Sequence, residues 1–229
     1  MAKTPTDKIK EKVVDAAYDE GVNAFQAWRQ KAKNGVLPVG ISGVGKTTFL
    51  SRFDVCGPEL FLEFDRTLSI KVDKMKLRKE FINQCNGVEY VQKIDVPGEL
   101  PEQWSEAYFD RNPRVLVIMI DEREPKKHIS EIKKFLGYIK NGASNWQKVK
   151  TFFAGRGENL SRVIFAVNKV DKFVSDNLEN VEDEYKSLLS EVHSLLNVNI
   201  QIFHVSLNSK NDDDFNAVFS AVLDGLVRK

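Results

Sequence analysis

Only two of the 229 residues are cysteine, Cys56 and Cys85, and they make no metal-ligand spacing. A disulfide framework is not expected, and a reduced cytoplasmic compartment is the plain reading. The three histidines, His128, His193 and His204, form no cluster. His128 and His193 read as helix-surface residues, and His204 as a strand residue. Neither charge sign is in excess: 34 Lys and Arg face 33 Asp and Glu. That balance argues against a general nucleic-acid scaffold, which would carry a basic surplus, so no nucleic-acid partner is expected. Long apolar runs are missing too. The longest, Val115 to Ile120, is the size of a strand and far too short to span a membrane. Met1-Ala2-Lys3-Thr4-Pro5 runs straight into charged sequence, so no leader is expected. Ala2 stands where myristoylation needs glycine, and Leu226-Val227-Arg228-Lys229 is no prenylation box. There is no internal repeat and no low-complexity tract. Hydrophobic residues make up 42% of the chain, enough to bury one good-sized core.

The stretch around which everything else is arranged is 36–50. Within it, Gly40-Ile41-Ser42-Gly43-Val44-Gly45-Lys46-Thr47 fits the pattern G-x-x-x-x-G-K-[ST]. Glycines let the backbone curl so that consecutive N–H groups point inward at a polyphosphate. Lys46 adds a point charge at the β- and γ-phosphates, and the Thr47 hydroxyl can ligate Mg²⁺. A helix opening near Lys46 puts its positive end on the phosphate. Ser42, Gly43, Val44, Gly45, Lys46, Thr47 and Thr48 are therefore the candidate phosphate-binding residues. The flanks agree: Val36, Leu37 and Val39 make an apolar run before the loop, and Phe49, Leu50 and Phe53 a helical pattern after it. The competing reading, a glycine-rich turn that happens to end in Lys-Thr, explains none of this context. Pro38 is a flaw in the preceding strand and suggests an edge position or an early start.

Residues 4–33 read as one amphipathic helix, with Thr4 as N-cap, Pro5 at the first helical position and an apolar stripe through Val14, Tyr18, Phe25 and Trp28. It ends at Asn34-Gly35. Residues 1–35 thus form an N-terminal appendage to a domain over 36–229. The helix either packs on that domain or contacts a partner or membrane surface; its mixed-sign polar face weakens the membrane version. Residues 56–67 read as a loop. Residues 68–77 and 88–96 read as strands of a hairpin at a sheet edge, with a connection at 78–85 longer than a tight turn needs. Trp104, Tyr108 and Phe109 fall at helical spacing. The run 114–121 reads as a strand covered on both faces. Residues 127–140 follow as a helix with Ile129, Ile132, Phe135, Leu136 and Ile139 inward. An accessory segment occupies about 143–161. Lys140, Lys148, Lys150, Arg156 and Arg162, in or around it, are either a solvated face or a basic patch for acidic lipid or protein. Then come strand 162–167, helix 177–196, strand 198–205 and helix 212–227. The alternation predicts a three-layer α/β fold: a mostly parallel six-stranded sheet with one antiparallel edge strand.

Two further motifs fall at strand ends, on the side where open α/β sheets bind ligands. In Asp95-Val96-Pro97-Gly98, the carboxylate can hold Mg²⁺, and the Gly98 N–H can approach a γ-phosphate with no side chain in the way. In Asn168-Lys169-Val170-Asp171, the Asp171 carboxylate can accept from the N1–H and 2-amino group of guanine, a donor pair that adenine lacks. Lys169 can lay its stem along the base. Each motif alone is weak. All three in this order, each after an apolar strand, are not.

With these residues in place, the sequence resembles the Ras-like small GTPases of the P-loop GTPase superfamily over about residues 36–228. The phosphate loop looks like the Rab version. Trp104 with Tyr108 and Phe109 is similar to the second switch of Arf-like and Rab-like members. The resemblance implies that Thr67 closes over Mg²⁺ and the γ-phosphate as part of a first switch. It also implies that backbone N–H groups at Ser206 and Leu207 reach the guanine oxygen, although the family usually has alanine where Leu207 stands. His204 then lies near that base loop. Lys46, Thr67, Gly98 and Glu99 are the implied catalytic set, and Thr47, Thr67 and Asp95 the metal set. Effectors and regulators would read residues 56–72 and 97–110. Glu99 departs from the glutamine that orients the attacking water in the family; its charge beside a γ-phosphate costs energy where the dielectric is low. Arg66, beside Thr67, is either a charge stabiliser or a solvated residue. The expected function is a GTP/GDP switch with slow hydrolysis. The alternative is an assembly or scaffold subunit holding GTP as a structural ligand. A P-loop kinase or ATPase is disfavoured by Asp171.

Overall fold

An apolar run can persist unbroken only where both faces of a strand are covered. In the computed structural model, β4 (Val115–Asp121) is such a strand, buried at every residue inside a six-stranded sheet. The structure describes residues 35–54, 69–77, 79–84, 89–142, 159–168, 178–207 and 213–227. The expected N-terminal helix, the loop at 56–67 with Arg66 and Thr67, the accessory segment at 143–158, and Lys169 and Asp171 lie outside them. β4 pairs in parallel with β1 (Gly35–Val39) on one side and β5 (Arg162–Asn168) on the other. β3 (Tyr90–Asp95) and β6 (Asn199–Val205) extend the parallel set. β2 (Lys71–Lys76) closes one edge antiparallel to β3, giving the order β2-β3-β1-β4-β5-β6. This is the α/β architecture that the sequence implies.

The period-two alternation of β4 divides the interior in two. Val115, Val117 and Met119 face one cluster, which the helices α1 (Lys46–Phe53), α2 (Lys79–Gln84) and α6 (Asp213–Val227) cover. Leu116, Ile118 and Ile120 face another, under α3 (Pro101–Arg111), α4 (Pro125–Asn141) and α5 (Leu178–Leu196). On the first side the phenylalanines interlock. Phe53 lies 4.9 Å from Phe49, 5.8 Å from Phe215 and 4.1 Å from Phe219, and Phe81 of α2 lies 3.7 Å from Phe219, all between ring centroids. Fully burying each such ring contributes about 1.5–3 kcal/mol. The second side closes on Trp104, Phe135 and Tyr108.

Three local readings are corrected, and a fourth gains detail. Pro38 is not at an edge: β1 is a central strand, and Pro38 is in register with Val117 of β4. Its missing donor is tolerated because the ladder to β3 covers only Gly35 and Val36, so one side of β1 needs no donor beyond that point. The long connection between β2 and β3 contains the short helix α2, whose Phe81 reaches the phenylalanine cluster. His128 is 1% exposed and lies in the α4 packing face, not on the surface. Arg162 is no part of a surface patch. It is buried at the start of β5, where its Nη1 donates to Gln201 Oε1 at 2.6 Å and lies 3.7 Å from Asp224 Oδ2. Lys140 is exposed and His193 likewise, as expected.

At the pole where the parallel strands begin, Arg114 Nε donates to the carbonyls of Gly225 and Leu226, closing the last turn of α6. Ser161 Oγ donates to the same Gly225 carbonyl. Among the described residues, no helix is long and apolar enough to cross a membrane.

Candidate functional site

Five parallel strands deliver their C-terminal ends to one edge of the sheet, the side on which open α/β sheets bind ligands. The loop after β1 needs glycine at two places in particular. Gly40 has φ 149°, and a Cβ on it would stand 2.5 Å from the Met119 carbonyl oxygen. Gly45 has φ 100°, and a Cβ there would stand 2.7 Å from Asn168 Nδ2. Gly45 is also the N-cap of α1, which has no side-chain capping bond. The first N–H groups of that helix are thus left for an anion.

Lys46 folds back over its own loop. Its Nζ donates to the carbonyls of Gly40 at 2.8 Å and Ile41 at 3.3 Å, and the residue is only 7% exposed. Burial pulls its pKa down to about 8, with the Asp95 carboxylate pulling the other way. Thr47 Oγ1 donates to Asp95 Oδ2 at 3.1 Å, bringing the loop and the end of β3 together. A hydroxyl and a carboxylate are hard oxygen donors of the kind Mg²⁺ takes, and that ion needs few protein ligands. Thr48 Oγ1 is buried with no hydrogen-bond partner among the described residues. Those residues contain no group of three or more His, Cys, Asp or Glu that could hold a metal by themselves.

Gly98 lies against the phosphate loop. A Cβ on it would stand 2.2 Å from the Ser42 nitrogen and 2.4 Å from Ser42 Cα. Glu99 and Leu100, next in the chain, are exposed. Trp104 is fully buried and its Nε1 donates to the Pro97 carbonyl, which ties α3 to the turn that carries Gly98.

Asn168 fastens two loops to each other. Its Nδ2 donates to the Val44 carbonyl at 2.8 Å, and its Oδ1 accepts from the Leu207 N–H at 3.1 Å. Leu207 is buried and joins the core cluster below α1, and Ser206 is half-buried. The Leu207 N–H, one of the groups expected to meet a base oxygen, is thus engaged by Asn168 in this structure. The structure brings together Ser42, Gly43, Val44, Gly45, Lys46, Thr47, Thr48, Asp95, Gly98, Asn168, Ser206 and Leu207; it places Glu99 on the exposed turn beside them. Thr67, Lys169 and Asp171 lie outside the described residues.

Sequence reasoning missed an acidic corner after β4. Asp121, in register with Asn168, is buried and accepts from Arg123 Nε at 2.8 Å and Nη2 at 2.6 Å. Beside it Glu122 is also buried, and burial raises its pKa; Asp121 adds to the rise while His204 opposes it. The sequence offered only the string Asp121-Glu122-Arg123-Glu124, which reads as any solvated turn.

The Lys46 environment has a consequence for pH. The unfolded chain holds this proton to about pH 10.5 and the folded one to about 8, so between those values folding releases a proton and this group's contribution to stability rises with pH. Binding of a polyphosphate has the opposite sign, because it needs the ammonium. Affinity should be flat below pH 8 and fall by up to tenfold per pH unit above it. Calorimetry in buffers of differing ionisation enthalpy at pH 8.5 should show net proton uptake on GDP binding; zero uptake would contradict the burial-driven shift.

The sequence matches no protein-family model and no curated protein. Solved structures do match. The Arl6 (BBS3) small GTPase from Trypanosoma brucei, with the bound nucleotide analogue GppNp, aligns at TM-score 0.53 and 16% identity over 84% of this chain and 98% of its own. Translation elongation factor SelB from Methanococcus maripaludis, in complex with the GTP analogue GppNHp, aligns at TM-score 0.52 and 16% identity over 83% of this chain and 34% of its own. A bacterial selenocysteine-specific elongation factor, EF-Sec, aligns at TM-score 0.51 and 15% identity over 83% and 28%. The chain therefore spans nearly the whole small GTPase and about a third of each elongation factor. It has the P-loop GTPase fold.

Proposed function

We propose that this protein binds GTP and GDP with Mg²⁺ and acts as a molecular switch that hydrolyses GTP slowly. The observation that carries the reading is the convergence of Lys46, Thr47, Asp95 and Gly98 at one sheet edge, with Asn168 tying Val44 to Leu207 beside them. Two of the similar structures hold GTP analogues, which supports the same ligand class here. Lys46 and the N–H groups of 42–48 would hold the phosphates. Thr47, Asp95 and Thr67 would hold Mg²⁺, which when bound neutralises charge on the β- and γ-oxygens. Asn168, Lys169 and Asp171 would hold the base, with the turn at Ser206 and Leu207 closing over it. Hydrolysis is attack of water at the γ-phosphorus, with the bond to the β,γ-bridging oxygen breaking. The Gly98 N–H and Lys46 face the charge that develops. Effectors and regulators would read 56–72 and 97–110, and 4–33 would supply a further contact to a partner or membrane surface. The setting is cytoplasmic.

The direct test is competition of ATP against labelled GTP, with Asp171→Asn alongside. The wild type should prefer GTP by at least a hundredfold. The variant should lose about 3 kcal/mol of guanine binding, roughly a hundredfold, and gain preference for xanthine nucleotides. Unchanged GTP affinity in the variant would remove Asp171 from the base site.

Glu99 sets the expected rate. A glutamine accepts from water and donates to a phosphate oxygen at once, whereas an ionised glutamate only accepts and adds repulsion. Single-turnover phosphate release should be on the order of 10⁻⁴ s⁻¹ or slower, the scale of unaided Ras-type hydrolysis. Glu99→Gln should speed it. Release on the order of 10⁻² s⁻¹, abolished by Glu99→Ala, would make Glu99 a working base. No turnover even with partners would instead favour an assembly subunit that holds GTP as a structural ligand.

A further inference from the structure

Arg52 lies one residue before the end of α1, the helix that opens at the phosphate loop. Its Nη1 donates to the Leu207 carbonyl at 3.1 Å. Its guanidinium carbon stands 4.0 Å from the centroid of the Phe215 ring on α6. The N–H of the same Leu207 donates to Asn168 Oδ1, and Asn168 Nδ2 donates to Val44 O. Both backbone polar groups of Leu207 are thus engaged by side chains, Arg52 from α1 and Asn168 from the end of β5. The Leu207 side chain is buried in the cluster that also holds Phe49 and Phe53 of α1.

We propose that Arg52 is a positioning residue for base recognition: it holds the turn after β6 against α1, so that the phosphate loop and the base-reading turn move as one body. The inference rests on the guanine-nucleotide reading. The residue type suits the task. A guanidinium can stack its flat face on an aromatic ring while donating in its own plane, so one side chain can be oriented by Phe215 and use one of its N–H donors on the turn. A lysine could make the bond or lie over the ring but lacks the fixed fork, so it should serve partly. Arg52 acts through backbone atoms of Leu207, so its removal should disturb the base contacts and leave the phosphate contacts alone.

The test compares full-length wild type, Arg52→Ala and Arg52→Lys by three measurements. They are the affinity for GDP, the affinity for Mg²⁺-tripolyphosphate as a base-free probe, and amide hydrogen exchange at Leu207. The expected result for Arg52→Ala is GDP binding weaker by at least tenfold, tripolyphosphate binding within twofold of wild type, and faster exchange at Leu207. Arg52→Lys should fall between. Unchanged exchange at Leu207 in both variants would overturn the proposal. So would equal weakening of both ligands with a lowered melting temperature, which is the signature of a merely structural arginine. If Arg52→Ala does not fold, Arg52→Lys alone decides by the same two criteria. Failure of the wild type to bind GDP would sink the nucleotide reading instead, while the exchange measurement would still report whether Arg52 holds the turn.

Discussion

Lys46→Ala is expected to abolish tight nucleotide binding while leaving the fold standing. The ammonium already donates to two loop carbonyls, at Gly40 and Ile41, inside a nearly closed site. A phosphate would meet a charge that is desolvated and fixed in place. Charge-assisted hydrogen bonds contribute about 1.5–3 kcal/mol each, so losing two at the phosphates costs about 4 kcal/mol, roughly a thousandfold in affinity. The fold should tolerate the change. The loop keeps the Asn168 bond to Val44, and burial of the lysine's charge is itself a cost that the alanine removes. Equilibrium binding of GDP, with circular dichroism and thermal melting as controls, checks both halves. GDP retained at wild-type affinity would reduce the loop to a structural turn.

Gly98→Ala is expected to uncouple the third phosphate from the rest of the site. Gly98 does not have positive φ, so alanine carries no backbone strain there. The cost comes from contact alone: the new Cβ would overlap the Ser42 backbone, which no side-chain rotation can relieve. One of the two segments must yield. The phosphate loop is pinned by Lys46, Thr47 and Asn168, whereas Glu99 and Leu100 are exposed. The turn at 97–100 should therefore move outward. Overpacking of this kind costs about 1–3 kcal/mol, a lowering of the melting temperature by roughly 2–12 °C for a chain of this size. GDP affinity should stay within threefold, and affinity for a non-hydrolysable GTP analogue should fall at least tenfold. Equal affinity for the analogue would show that Gly98 does not approach the γ-phosphate.

Much of this molecule can be read from its sequence because two kinds of signal are local. The phosphate loop is written in consecutive residues, and so is the strand Val115–Asp121, whose unbroken apolar run fixes it in the interior. The helix Pro125–Asn141 shows its buried face through Ile132, Phe135, Leu136 and Ile139. What escapes is set by neighbours far away in the chain. Pro38 looks like an edge residue until the short ladder between β1 and β3 is known. His128 has the polarity of a surface residue and the position of a core one. Arg162 looks like part of a basic patch, but its partners Gln201 and Asp224 come from β6 and α6. α2 is only six residues long, too short for a periodic pattern to declare itself. In the site, the roles proposed for Lys46 and Thr47 rest on residue type and spacing. Arg52 gives no such signal, because its target is a backbone carbonyl 155 positions away.

The interlocked phenylalanines have a bearing on how the protein is made. Phe49 and Phe53 belong to the helix that opens at the phosphate loop, yet the rings they pack on, Phe215 and Phe219, are synthesised long after them. β1 likewise waits for β3 and β4 on its two sides. A ribosome-bound chain that has released β1 and α1 early therefore cannot yet hold the loop between them, and the nascent protein should remain unable to retain nucleotide until α6 has emerged.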